Sequence, residues 1–113
     1  MSQITTHVLD TSAGRPAQGI TIVLEQLSSD GKWIRLGKGK TNSDGRLPTL
    51  LSDEIQLDHA VYQLVFDTGT YFKVQGVKGF YPSITITFEI ADDTHYHVPL
   101  LLNPFGYSTY RGS

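Results

Sequence analysis

The chain has 113 residues, with nine Lys and Arg set against eleven Asp and Glu, a net charge of −2 when the histidines are neutral. Length favours one domain over residues 1–113, able to bury about two-thirds of its unfolded surface without staples. The lack of cysteine excludes a disulfide framework and Cys-ligated zinc or iron–sulfur sites, and the near-neutral balance argues against nucleic acid or an anionic membrane as partner.

No apolar run approaches the ~18 residues that a membrane span needs. Residues 1–7 carry no charged region followed by an apolar one, and the close is Arg-Gly-Ser rather than the peroxisomal Ser-Lys-Leu. A cytoplasmic protein is the expectation.

Eleven glycines and five prolines punctuate a chain whose remaining stretches are rich in Thr, Val, Ile, Tyr and Phe, the composition of pleated strands and turns. Period-two alternation predicts a strand over 4–9, a loop over 10–18 and a second strand over 20–27. Asp30-Gly31 is a hairpin turn leading into a strand over 32–41. Asn42-Ser-Asp-Gly45 turns the chain again, before a short extended piece at Arg46 and Leu47 that Pro48 ends. Residues 49–60 read as loop, and 61–66 resume the strand pattern. One or two helical turns fit within 68–77, followed by strands over 84–90, 95–102 and 107–111, the last two joined by Asn103-Pro-Phe-Gly106. Seven or eight short strands at this spacing predict an all-β fold, a two-sheet antiparallel β-sandwich.

Residues two apart on a strand share a face. Ile4, Thr6 and Val8 then oppose Thr5, His7 and Leu9, while Tyr96, Val98, Leu100 and Leu102 point to the core. The outer face carries Leu9, Pro99 and Leu101 beside His7 and His97, too apolar and too ionisable for a solvated sheet. A second copy of the chain covering that face, with a polar-lined cleft at the contact, is the expectation. His59 reads as an ordinary loop histidine. His95 and His97 share a face as some metal ligands do, but a catalytic zinc usually takes three protein ligands and only His7 could be the third. No metal and no cofactor are therefore expected.

Three stretches carry a resemblance: Thr6-His-Val-Leu-Asp-Thr-Ser-Ala-Gly-Arg-Pro-Ala17, Thr41-Asn-Ser-Asp-Gly-Arg46, and Tyr96-His-Val-Pro-Leu-Leu-Leu-Asn-Pro-Phe-Gly-Tyr-Ser-Thr-Tyr-Arg-Gly-Ser113. Together they resemble the transthyretin-like 5-hydroxyisourate hydrolases, and Tyr110-Arg-Gly-Ser113 is the most specific part, since the hormone carrier transthyretin lacks it. Asn103 stands where serine is more usual. The resemblance implies an eight-stranded sandwich with one short helix after the fifth strand, assembled as a homotetramer, a dimer of dimers with active sites where the dimers meet. It implies His7, Arg46 and His97 as catalytic residues. The same three, with Tyr110 narrowing the cleft and Ser113, would bind the substrate.

The reaction so implied adds water across a lactam bond of 5-hydroxyisourate, giving 2-oxo-4-hydroxy-4-carboxy-5-ureidoimidazoline. It needs a base for water, a stabiliser for the oxyanion and an acid for the leaving nitrogen. A histidine exchanges protons near neutral pH, and Arg46 offers a planar donor fork for carbonyl edges or an oxyanion. Which histidine is the base stays open at this point. Ser113 offers a hydroxyl and a terminal carboxylate, so a C-terminal extension is expected to lower activity. A serine nucleophile is the weaker reading, because Ser113 lacks the rigid turn that exposes such residues. The alternative is a transthyretin-like carrier of small aromatic ligands in a central channel.

Overall fold

A computed structural model describes residues 2–113. The strands are β1 (Ile4–Asp10), β2 (Arg15–Pro16), β3 (Thr21–Leu27), β4 (Trp33–Lys40), β5 (Val61–Phe66), β6 (Ile84–Glu89), β7 (Tyr96–Asn103) and β8 (Gly106–Thr109), with the helix α1 (Thr68–Val74) after β5. They form two four-stranded sheets, ordered β2-β1-β7-β8 and β4-β3-β5-β6.

The core lies between the sheets because the strands alternate in phase with it. Ile4, Thr6 and Val8 of β1 and Tyr96, Val98, Leu100 and Leu102 of β7 are buried from one side. Ile22 and Leu24 of β3 and Tyr62, Leu64 and Phe66 of β5 are buried from the other. Each fully buried aliphatic or aromatic side chain contributes about 1.5–3 kcal/mol relative to exposure, so the ten or so largest dominate the favourable side of folding.

Three features depart from the predicted pattern. The loop over 10–18 contains β2, whose two residues pair with the end of β1 (Leu9 with Pro16, Asp10 with Arg15), too short a run to show periodicity. Five of the six strand pairings are antiparallel, but β1 and β7 run parallel in unbroken register from Ile4–Tyr96 to Asp10–Leu102. Alternation identifies a strand and its faces but is the same in both directions. The loop over 49–60 has no strand, yet Leu50, Leu51 and Leu57 are buried in the core.

The helix starts where Asp67 accepts a hydrogen bond from the Thr70 backbone N–H, and it buries Tyr71 and Phe72. Tyr71 reaches across to β1, donating its hydroxyl to Asp10 Oδ2 at 2.8 Å. Asp10 Oδ1 also accepts from the Ser12 hydroxyl at 2.7 Å and from the backbone N–H of Ser12 and Ala13. Burial alone would raise the Asp10 pKa; these hydrogen bonds outweigh it and hold the carboxyl below the usual carboxylate range. Among the described residues, no helix is long and apolar enough to cross a membrane.

Asp10→Ala leaves the Tyr71 hydroxyl and two backbone donors without their acceptor, and should destabilise the fold by about 2–3 kcal/mol. Because the native carboxyl is the stronger acid, this contribution is present above about pH 3.9 and lost as pH falls below it. Thermal melts of both proteins at pH 7 and pH 3 check the outcome: the gap should be wide at the first and narrow at the second.

Candidate active site

The parallel register of β1 and β7 places the ionisable residues. Thr5 stands beside His97 and His7 beside Pro99, on the face turned away from the core. His7 and His97 are half-buried there, as are Leu9 and Leu101. Pro99 is buried within the single chain, so a second copy is not needed to cover it. The cover comes from the segment 110–113, which folds back onto β7.

Gly112 makes that fold-back possible. Its N–H donates to the His97 carbonyl at 2.9 Å, forming an isolated antiparallel bridge. A Cβ at position 112 would stand 2.6 Å from His97 Cδ2 and 3.3 Å from Pro99 Cγ, so only a residue without one lies flat on the imidazole. Tyr110 and Ser113, on either side of the Arg111-Gly112 pair, are thereby brought to the rim of the same cleft.

Arg46 arrives from the opposite edge of β1. Asn42 Oδ1 accepts from the backbone N–H of Asp44 at 2.9 Å and of Arg46 at 3.0 Å, closing the turn. The Val8 N–H donates to the Gly45 carbonyl at 2.8 Å, and His7 and Arg46 form a second antiparallel bridge. Gly45 has φ +75°, the left-handed region, and a Cβ there would meet the Val8 carbonyl at 2.3 Å. Asn42 and Gly45 together deliver the guanidinium beside His7.

The result is a cleft of about 800 Å³ that gathers His7, Arg46, His97, Tyr110 and Ser113, all five residues singled out by sequence. Burial lowers the His97 pKa most, and Arg46, His95 and His7 lower it further against an opposing contribution from the Thr5 carbonyl. His7 is lowered likewise, by burial and then by Arg46, against the Asp44 carbonyl and carboxylate. Both imidazoles are held neutral at pH 7, the state in which a histidine accepts a proton.

The cleft also contains residues that sequence reasoning did not place in it. Thr5 and His95 line it, and Thr5 Oγ1 lies 2.8 Å from His97 Nδ1 and 2.7 Å from His95 Nε2. Alternation had put Thr5 with His7 and His95 with His97, but not the two pairs side by side. Pro48, Thr49 and Asp53 form another wall, from a loop with no period to read. Among the described residues, no three His, Asp or Glu side chains are grouped closely enough to share a metal ion. His59 lies elsewhere, 2.8 Å from Asp93.

A family model described as the HIUase/Transthyretin family matches residues 4–112. The 5-hydroxyisourate hydrolase of Mus musculus is 46% identical over 114 residues, covering 99% of this chain and 96% of the relative. Among solved structures, sea bream transthyretin in complex with thyroxine superposes with a TM-score of 0.92 at 29% identity, covering 98% of this chain and 95% of that one. The Klebsiella pneumoniae 5-hydroxyisourate hydrolase superposes with 0.84 at 37%, covering 97% and 98%. Backbone likeness runs higher toward the thyroxine complex, residue identity toward the hydrolases.

In a proton NMR titration, the imidazoles of His7 and His97 should show midpoints below 6.5, and Arg46→Ala should raise both by removing a neighbouring cation. Unchanged midpoints in the variant would mean that Arg46 does not face them.

Proposed function

The chain belongs to the HIUase/Transthyretin family, and from that membership we propose that it hydrolyses 5-hydroxyisourate to 2-oxo-4-hydroxy-4-carboxy-5-ureidoimidazoline in the cleft that holds His7, Arg46 and His97. The observation that carries this reading is the convergence of two neutral imidazoles and one guanidinium on a single space. Water gives up a proton to an imidazole as its oxygen bonds to the lactam carbonyl carbon. The carbonyl electrons pass to oxygen, and the carbon–nitrogen bond then breaks as a proton is returned to the leaving nitrogen. One of the pair His7 and His97 takes the proton and returns it. Arg46 presents fixed N–H donors to the oxygen as its charge develops, in a partly desolvated site where such donors count for more than in water. Tyr110 and Ser113 close the rim over the substrate.

On the same reading the protein works in urate breakdown in the cytoplasm, as one domain that assembles into a dimer of dimers. The half-buried Leu9 and Leu101, left on the cleft-bearing face after segment 110–113 has covered Pro99, support a further contact there.

The competing reading is a carrier of small aromatic ligands, favoured by the 0.92 TM-score to sea bream transthyretin. Backbone likeness alone does not choose, because one fold hosts unrelated functions. The side chains in the cleft do: a carrier has no need of two imidazoles held neutral beside an arginine.

Urate oxidase acting on urate supplies 5-hydroxyisourate in the cuvette. Its ultraviolet decay should accelerate when the protein is added, and decay at the spontaneous rate would overturn the proposal. Arg46→Ala and His97→Ala should each lower turnover by about 10²–10³ while the elution volume on size exclusion stays that of the wild type. Gly45→Ala should lower activity without touching any cleft side chain, since it displaces the turn that delivers Arg46.

A further inference from the structure

The Thr5 hydroxyl stands between two imidazoles, 2.8 Å from His97 Nδ1 and 2.7 Å from His95 Nε2. The two rings are side by side, with centroids 6.3 Å apart and planes 28° apart. A hydroxyl has one proton to give. The hydroxyl can therefore donate to one of the two ring nitrogens at most, while its two lone pairs can accept from either ring. The hydroxyl proton stays within the trio when His97 Nδ1–H donates to Thr5 and Thr5 donates to a bare His95 Nε2, or when both bonds are reversed. The Thr5 backbone carbonyl, which can only accept, also acts on the His97 ring, and Nδ1 is the nitrogen set against Thr5, so a proton on Nδ1 serves both oxygens of that residue. His97 Nε2 is then an unprotonated nitrogen in the cleft, the form a base requires.

We propose that Thr5 and His95 are positioning residues of the hydrolytic site: Thr5 holds His97 in its Nδ1–H tautomer and links it to His95, which takes up the charge that His97 gains in the reaction. This rests on the hydrolase reading and orders its two histidines, making His97 the base. When His97 Nε2 accepts a proton from the attacking water, the Nδ1 proton passes to Thr5 Oγ1 while the Thr5 hydroxyl proton passes to His95 Nε2. One proton enters the chain, one positive charge arrives at His95, and the Thr5 hydroxyl is regenerated.

The surroundings favour that direction. His97 is half-buried and faces Arg46 and His7, so a second cation there is disfavoured. His95 is exposed and opens also onto an adjoining hollow lined by Asp53 and Asp93, so a proton delivered there sits at the solvent edge of the cleft and away from Arg46. After the transfer His97 is neutral with its proton on Nε2, the form that donates to the leaving nitrogen. Running the chain backward restores the start. One imidazole thus serves as base and then as acid without holding a charge beside Arg46.

Two independent readouts test this. In protein labelled with ¹⁵N-histidine at pH 8, long-range proton–nitrogen spectra should show His97 protonated on Nδ1 and bare on Nε2. Thr5→Val, which keeps the shape and removes the hydroxyl, should move His97 toward the Nε2–H form; Thr5→Ser should not. In the decay assay Thr5→Val should lower kcat by about 10- to 100-fold with KM little changed, and Thr5→Ser should restore most of it. His95→Gln, whose amide oxygen still accepts from Thr5 but binds no proton, should keep the His97 tautomer and lower kcat. An Nε2–H His97 in the wild type, or Thr5→Val with wild-type kcat and tautomer, would overturn the proposal. If the wild type failed to accelerate decay at all, the hydrolase reading would fall, and the tautomer spectra would still report on Thr5 by themselves. Should Thr5→Val melt cooperatively at a lower temperature, the Thr5→Ser and His95→Gln pair decides.

Discussion

The backbone ladder between β1 and β7 is the interaction on which the cleft depends. Seven residue pairs run in unbroken parallel register. Each pair fixes which side chains stand shoulder to shoulder on the outer face, so Thr5 meets His97 without a loop having to carry either. A slip of one residue would send every side chain of β1 to the opposite face, taking His7 into the core and Ile4 and Val8 out of it. Burial of Ile4, Thr6 and Val8 on one side therefore protects the position of Thr5 and His7 on the other. The same strand anchors the core and presents the chemistry, and the core is what makes the presentation precise enough to matter.

Onto this rigid pair the rest of the site is attached by backbone, not by side chains. The turn at 42–46 is clipped to β1 at His7 and Val8, and segment 110–113 is clipped to β7 at His97. Both clips pass through a glycine, at positions 45 and 112, where a methyl group would strike a carbonyl or an imidazole. The approach is close, so water is thinned around the histidines, and the guanidinium is brought near enough to disfavour their protonation. A chain with a net charge of −2 thus encloses a small region of positive potential, in which imidazoles remain neutral and an incoming oxyanion is welcome.

Much of this was legible in the sequence. Alternation alone separated Thr5, His7 and His97 from the core residues between them, and put apolar Pro99 among them as a sign that the face is covered. Alternation over 61–66 marks β5 to its exact ends, and the short helix lies within the 68–77 window. Resemblance, not periodicity, brought in Arg46, Tyr110 and Ser113, because their places are set by turns and bridges that have no repeat. What stayed hidden was pairwise. Periodicity assigns a face to each strand but not a neighbour to each strand, so the direction of β1 against β7 and the meeting of Thr5 with both histidines could not be read. The loop over 49–60 hid its buried leucines for the same reason: they pack without a period.

The parallel ladder also bears on how the molecule is made. Thr5 and His97 are 92 positions apart in the chain, and no local turn can bring them together. Closing so long a loop loses entropy before any contact repays it, which makes such pairings slow to form relative to the β3–β4 or β7–β8 hairpins. A refolding population would therefore pass through molecules with much of their strand structure and no working cleft. Regained circular dichroism would overstate how many molecules are whole, and regained turnover would be the honest clock of the last step.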